Sequence, residues 1–286
     1  MKAFTYLRPG DGAEAVAMLR EHGPDARIIA GGQSLLLALK DRSARPPVLV
    51  SLRGLPELSG VRADGDELVV GATTTYADLT RTRLPGWQAT IAAVAGDLAD
   101  RPVRTMGTIG GALCAADPRY DALTLVTGVG ARLEVLSADG LRVLQPAEFF
   151  APGGGTLLEP GEVLTAVRFP GVAAWDTVVF EKFRTRVFDA ALASVLCAVR
   201  VDPAGTLTEV RLTVGAAVPV PVVALGTGSA LVGSPAVDVD LDAVARAVVT
   251  EVLSDRDDSP AAQYARELVA ALTRRALLRA LPSPRS

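Results

Sequence analysis

Two glycine-bearing stretches carry the chemistry most directly readable in this chain. The first is Ala30-Gly31-Gly32-Gln33-Ser34-Leu35; the second is Gly107-Thr108-Ile109-Gly110-Gly111, running on through Cys114 to Asp117 and Asp121. Each sets glycines beside a hydroxyl residue at the mouth of an apolar segment. Backbone N–H groups at such a turn can cradle a pyrophosphate, because a side chain beyond glycine would block its approach. The Ser34 and Thr108 hydroxyls add donors. One such turn is a weak sign; two in one domain point to a dinucleotide held from both sides. Gly31-Gly32 also fits a plain tight turn with Ser34 as helix N-cap, and the second stretch also fits an ordinary buried turn.

Asp117 and Asp121 need a separate reason, since carboxylates beside a pyrophosphate repel it. They suit a nucleotide site only if turned towards sugar-like hydroxyls. Asp117 also reads as a turn residue before proline, and Asp121 as a charge at a helix start. Cys114 has no base or second thiol nearby in sequence and reads as a small packing residue.

Composition narrows the chemistry further. Apolar residues make up 49% of the 286 and charged residues 21%, with a formal net charge of −3, so a globular chain without a nucleic-acid-binding surface is expected. Two cysteines are too few for a disulfide framework or an iron–sulfur cluster, and the single histidine, His22, is too few for a histidine-rich metal site. Redox or group-transfer chemistry here calls for a bound organic cofactor. No apolar run reaches the roughly 18 residues of a membrane span, and the opening MKAFTYLRPG lacks a signal-peptide pattern. A cytoplasmic location is expected.

The elements that must position these residues follow from periodicity. Asp11 and Glu14 mark a helix start closing near Gly23. Ile28–Ala30 reads as a strand and Ser34–Lys40 as a helix opening on the first glycine turn. Val48–Ser51 and Leu68–Gly71 read as strands, and Tyr76–Thr80 and Ala89–Ala99 as helices with Trp87 packed between them. After the second glycine loop come a helix from about Arg119 to Thr127 and strands at Arg132–Ser137 and Val163–Phe169, with Gly153-Gly154-Gly155 as a surface turn. Thr177–Phe183, Ala193–Val201 and Glu209–Ala217 alternate as strands of an antiparallel sheet. Ala243–Val252 and Ala261–Arg279 are helical, the last with its arginines outward. The class is α+β, in two domains, 1–172 and 177–286.

Three motifs in order, AGGQSLL, RTMGTIGGALCAADPRYD and FEKFRTRVFDAALA, together with the tail SDRDDSPAAQYAREL, resemble the FAD-binding subunit of molybdenum hydroxylases. That family includes the medium chain of aerobic carbon monoxide dehydrogenase and the flavin segment of xanthine dehydrogenase. The resemblance runs nearly end to end. It implies a two-part α/β FAD-binding domain of the PCMH type, followed by a C-terminal domain of the CO-dehydrogenase-flavoprotein type. It implies FAD, electrons arriving from a [2Fe-2S] small subunit reduced by a molybdopterin large subunit, and an external acceptor. A hetero-oligomer follows, a dimer of heterotrimers being one form.

Residue by residue, the resemblance implies that Ala30, Gly31, Gly32, Gln33, Ser34 and Leu35 form one pyrophosphate loop and Thr108, Ile109, Gly110 and Gly111 the other. Asp117 and Asp121 match acidic positions after it, Leu164 and less clearly Leu98 match apolar lining, and Lys182 matches the lysine approaching the flavin. Lys182 also fits a solvated strand lysine, and Leu164 plain core. Ala112 stands where the family usually has Asn, and Ala190 where many members carry an aromatic. Two further readings stay open: a stand-alone FAD-dependent oxidoreductase of related fold, and a non-catalytic assembly subunit with a degenerate flavin site.

Overall fold

A computed structural model describes residues 3–282 of the chain. The first lobe is a small parallel sheet. Its elements are β1 (Thr5–Leu7), α1 (Gly12–His22), β2 (Arg27–Ile29), α2 (Leu35–Lys40) and β3 (Val48–Ser51), with strand order β1-β3-β2. Asp11 caps α1 by accepting from the Glu14 amide at 2.8 Å. Ala15, Val16 and Leu19 then fall on one face and pack on Val48 and Val50 of β3.

The second lobe is built on a five-stranded antiparallel sheet, ordered β4-β5-β8-β6-β7. Its strands are β4 (Val61–Asp64), β5 (Glu67–Gly71), β6 (Arg132–Ser137), β7 (Gly140–Leu144) and β8 (Val163–Phe169). Between β5 and β6 run five helices: α3 (Tyr76–Arg81), α4 (Ala89–Gly96), α5 (Arg101–Met106), α6 (Ile109–Ala115) and α7 (Asp121–Val129); α8 (Pro146–Phe149) follows β7. Every residue of α7 is buried, Asp121, Thr124 and Thr127 included.

The last third forms a four-stranded antiparallel sheet, β12-β11-β10-β9. Its elements are β9 (Thr177–Phe183), β10 (Ala193–Val201), β11 (Leu207–Gly215), β12 (Val222–Val223), α9 (Leu225–Leu231), α10 (Leu241–Leu253) and α11 (Pro260–Ala280). Strand alternation splits its two faces. Leu196 and Ala198 join α7 in one core, while Val195, Cys197 and Val199 join Val248, Val269 and Leu272 of α10 and α11 in another. Glycines allow α7 to lie close to this sheet: a Cβ on Gly128 would come within 2.7 Å of Leu196, and one on Gly215 within 1.8 Å of the Thr124 hydroxyl. The sheet therefore shares a core with the preceding lobe on one face.

The α+β class and the antiparallel C-terminal sheet with helices are as expected. The largest local difference lies at the second glycine stretch. Gly110 and Gly111 are helical, in the first turn of α6, with Thr108 as N-cap. Glycine's low helix propensity is overridden here by tertiary hydrogen bonds. The helix expected from Arg119 starts at Asp121, and the one expected to reach Ala99 stops at Gly96, where Asp97 turns out to meet two cations. Trp87 is buried as expected, its indole N–H donating to the Gly171 carbonyl at 3.0 Å.

Candidate functional site

All three parts of the fold converge on one cleft of about 1190 Å³. Small-molecule sites usually measure roughly 300–1,000 Å³, so the cleft has room for an extended ligand. Ala30, Gly31, Gly32, Gln33, Ser34 and Leu35 line it from the first lobe; Thr108, Gly110, Gly111, Asp121 and Leu164 line it from the second; Lys182 enters from β9. Leu98, Cys114 and Ala190 also line it, with Phe188 largely exposed at the rim. Two expected residues stand elsewhere. Ile109 points into the core, and Asp117 lies outside the lining, its carboxylate held by Arg119 at 2.6 Å and by the Arg119 amide at 3.0 Å.

The two glycine segments differ in what they offer an anion. Among the described residues, the amides of Gly31, Gly32, Gln33, Ser34 and Leu35 find no hydrogen-bond acceptor. Five consecutive unpaired donors in residues that line a cleft suit phosphate oxygens. In the second segment the amides are spent internally: Ile109 donates to Thr74, Gly110 to Ala72, Gly111 to the Thr108 hydroxyl and Ala112 to the Thr108 carbonyl. The expected second amide cradle is thus absent, and the Thr108 hydroxyl is what this segment brings. It accepts from Gly111 at 3.0 Å and keeps its own hydrogen to donate.

The glycines also let the protein's own segments close on each other. A Cβ on Gly31 would sit 2.0 Å from the Met106 carbonyl oxygen, and one on Gly110 2.5 Å from Ala72. Gly32 is different, with φ +72 in the left-handed region.

The cleft wall carries an ion-pair group. The Lys182 ammonium contacts Asp121 Oδ2 at 2.5 Å, the Asp97 carbonyl at 3.0 Å and Asp97 Oδ2 at 3.3 Å, while Arg184 contacts Asp97 Oδ1 at 2.6 Å. The side chains of Lys182 and Asp121 are only 9% and 6% exposed. Burial pushes the Asp121 carboxyl up, and Lys182 offsets this only in part. For Asp97, burial is outweighed by Arg184 and Lys182, which hold it below the usual carboxylate range.

Two tyrosines escaped sequence reasoning. Tyr76 lines the cleft; Thr75, antiparallel to Thr108 in an isolated bridge, fixes its position, and its buried hydroxyl has no partner. Burial and then the charge of Asp121 push this phenol above its ordinary value. Tyr120 lines the cleft and meets the Ser34 hydroxyl at 3.0 Å. Both depend on contacts distant in sequence, and no local pattern marks them. Among the described residues no group of His, Cys, Asp and Glu could hold a metal ion, and no helix is long and apolar enough to cross a membrane.

A parallel lobe with an amide nest, an antiparallel lobe facing it and a third sheet supplying a cation define a nucleotide-cofactor-binding protein. Comparison with known proteins makes the class specific. The family model described as "FAD binding domain in molybdopterin dehydrogenase" matches residues 2–172, and that of the "CO dehydrogenase flavoprotein C-terminal domain" matches residues 179–280. The carbon monoxide dehydrogenase medium chain of Afipia carboxidovorans is 32% identical, over 97% of this chain and 96% of that one. Caffeine dehydrogenase subunit beta of a Pseudomonas species is 30% identical, over 97% and 95%. Among solved structures, reconstituted CO dehydrogenase from Oligotropha carboxidovorans superposes with a TM-score of 0.88 at 31% identity, covering 98% of both chains. Quinoline 2-oxidoreductase from Pseudomonas putida gives 0.87 at 30% identity, again covering 98% of both. The chain belongs to the family of FAD-binding subunits of molybdenum hydroxylases, and its cofactor is FAD.

Proposed function

We propose that this chain is the electron-transfer flavoprotein subunit of a molybdopterin-dependent hydroxylase or dehydrogenase. It would take electrons from [2Fe-2S] clusters on a small partner subunit, themselves reduced by a molybdopterin large subunit, and pass them to an external acceptor. Bound FAD supplies the redox chemistry. The observation that carries the reading is the run of unpaired amides from Gly31 to Leu35 facing Thr108 across one cleft.

In this reading residues 1–172 hold the cofactor, and residues 177–286 buttress it and supply Lys182. Ala30, Gly31, Gly32, Gln33, Ser34 and Leu35 hold the pyrophosphate through main-chain donors, and Thr108 adds a hydroxyl from the opposite wall. Gly110 and Gly111 keep that wall close, and Ile109 anchors it in the core. Asp121 faces hydroxyl groups of the cofactor, Leu164 gives an apolar wall, and Asp117 sets the turn before α7 from outside. A cytoplasmic complex fits the absence of a spanning helix among the described residues.

The deciding experiment is isolation of the tagged chain from its native host, with FAD, iron and molybdenum determination and partner identification. Co-isolation with an iron–sulfur and a molybdenum-bearing chain is expected. A lone flavoprotein that oxidises NAD(P)H and reduces its own substrate would favour the stand-alone enzyme. A soluble chain that binds no FAD would leave only an assembly role.

A further inference from the structure

Ser34 occupies the N-cap position of α2, where a serine ordinarily turns its hydroxyl back to an amide of the first turn. Here it makes no such bond. Its oxygen instead meets the Tyr120 hydroxyl at 3.0 Å, across 86 positions of sequence, and both side chains line the cofactor cleft. Tyr120 thus holds the Ser34 hydroxyl away from the first turn of α2, beside the unpaired amides of Ser34 and Leu35.

The pair has a second property. In a hydroxyl–hydroxyl bond one group donates and the other accepts, and the accepting group keeps its own hydrogen. Whichever way the bond runs, one O–H is left over, polarised by the bond it receives. That O–H borders the unpaired amides of Gly31 to Leu35. A phosphate oxygen there accepts a hydrogen bond stronger than an isolated serine would give, because the donating O–H is itself polarised by the bond it receives.

We propose that Tyr120 is a cofactor-positioning residue: through its hydroxyl it orients Ser34 and makes the pair a single donor to the FAD pyrophosphate. This rests on the reading of Gly31–Leu35 as the pyrophosphate loop. It also explains why a bulky phenol is tolerated inside a cofactor cleft: its ring packs at the edge of the core around α7, and only its oxygen reaches across.

The test is a double-mutant cycle on FAD affinity, measured by titrating the apoprotein and following flavin fluorescence. Tyr120→Phe keeps the ring and should raise the FAD dissociation constant about tenfold, equivalent to about 1.4 kcal/mol. Ser34→Ala should do about the same, and the double variant should be little weaker than either single one. Thermal melting of the apoprotein should hardly change in Tyr120→Phe. Multiplicative losses in the double variant would overturn the coupling. Unchanged affinity in Tyr120→Phe with a lowered apoprotein melting temperature would assign the bond to fold maintenance and overturn the proposal. Wild-type binding of FAD that survives Gly32→Val and Ser34→Ala alike would instead sink the pyrophosphate reading of the loop, and the role of Tyr120 with it.

Discussion

Lys182 Nζ and Asp121 Oδ2 lie 2.5 Å apart between β9 and the first turn of α7, joining the C-terminal sheet to the helix at the centre of the molecule. Both side chains are nearly withdrawn from water, so each is the other's main compensation. Removing one partner strands a buried charge. Lys182→Met should cost about 3–5 kcal/mol near neutral pH, and Lys182→Met/Asp121→Asn should recover most of it. Without the lysine, the folded-state pKa of Asp121 rises further above its unfolded value of about 4. The folded state then binds more protons, and stability falls as pH rises from about 4 through that raised pKa. Urea unfolding of the three proteins at pH 4.5 and pH 7.5 checks this. A single variant as stable as the double one at both pH values would show the pair to be dispensable.

The same pairing bears on redox tuning. A free cation beside the flavin would raise its reduction potential, and an interaction of about 1–2 kcal/mol corresponds to roughly 20–45 mV for a two-electron couple. The ammonium has three hydrogens, and three acceptors on Asp121 and Asp97 already surround it. The local charge is therefore largely balanced. Lys182→Met/Asp121→Asn, which removes one charge of each sign, should leave the midpoint potential within about 20 mV of wild type. Spectroelectrochemical titration measures it, and a drop beyond about 45 mV would show the lysine acting as an uncompensated charge.

Gly31→Ala is expected to do damage out of proportion to one methyl group. The new carbon would lie 2.0 Å from the Met106 carbonyl oxygen, so the two glycine segments must part. Loss of FAD retention together with a loss of about 2 kcal/mol or more of stability is expected. Gly153→Ala, at an exposed turn with nothing within 4 Å, should stay within about 0.5 kcal/mol of wild type. Flavin absorbance and melting curves read both, and full FAD content in soluble Gly31→Ala would contradict the close approach.

On the five-stranded sheet, Arg168 binds Asp64 at 2.5 Å, Glu67 at 2.8 Å and Glu134 at 2.5 Å. Burial pushes the Glu67 carboxyl up, but Arg132 and Arg168 outweigh it and hold it below its ordinary value. A carboxylate with a depressed folded pKa contributes stability that is present above its unfolded pKa, near 4.3, and is lost as pH falls through the folded value. Arg168→Met should lower stability at pH 7 by about 2–3 kcal/mol and show a shallower acid limb between pH 5 and pH 3 than wild type. An acid limb of unchanged slope would show that Glu67 owes nothing to Arg168.

Strands were legible where apolar and β-branched residues ran together between turns. Arg132–Ser137, Val163–Phe169, Thr177–Phe183 and Ala193–Val201 stand as drawn, but β8 and β10 are buried on both faces, which local alternation does not announce. α6 was not legible, since two glycines argue against helix and the Ile109–Thr74 and Gly110–Ala72 bonds that help hold its first turn are unseen in sequence. The cleft followed a similar rule. Glycines and the Ser34 and Thr108 hydroxyls announce a nucleotide loop locally. The accounting of which amides are free does not show in sequence, because the acceptors for the second segment come from Ala72 and Thr74, more than thirty residues away.

Lys182 lies on β9, beyond the stretch matched by the first family model, while its partner Asp121 lies within that stretch. A division of the chain between residues 172 and 177 would part the lysine from its carboxylate and bare the sheet face that α7 covers. A half exchanged between relatives would therefore have to match its new neighbour in charge as well as in shape.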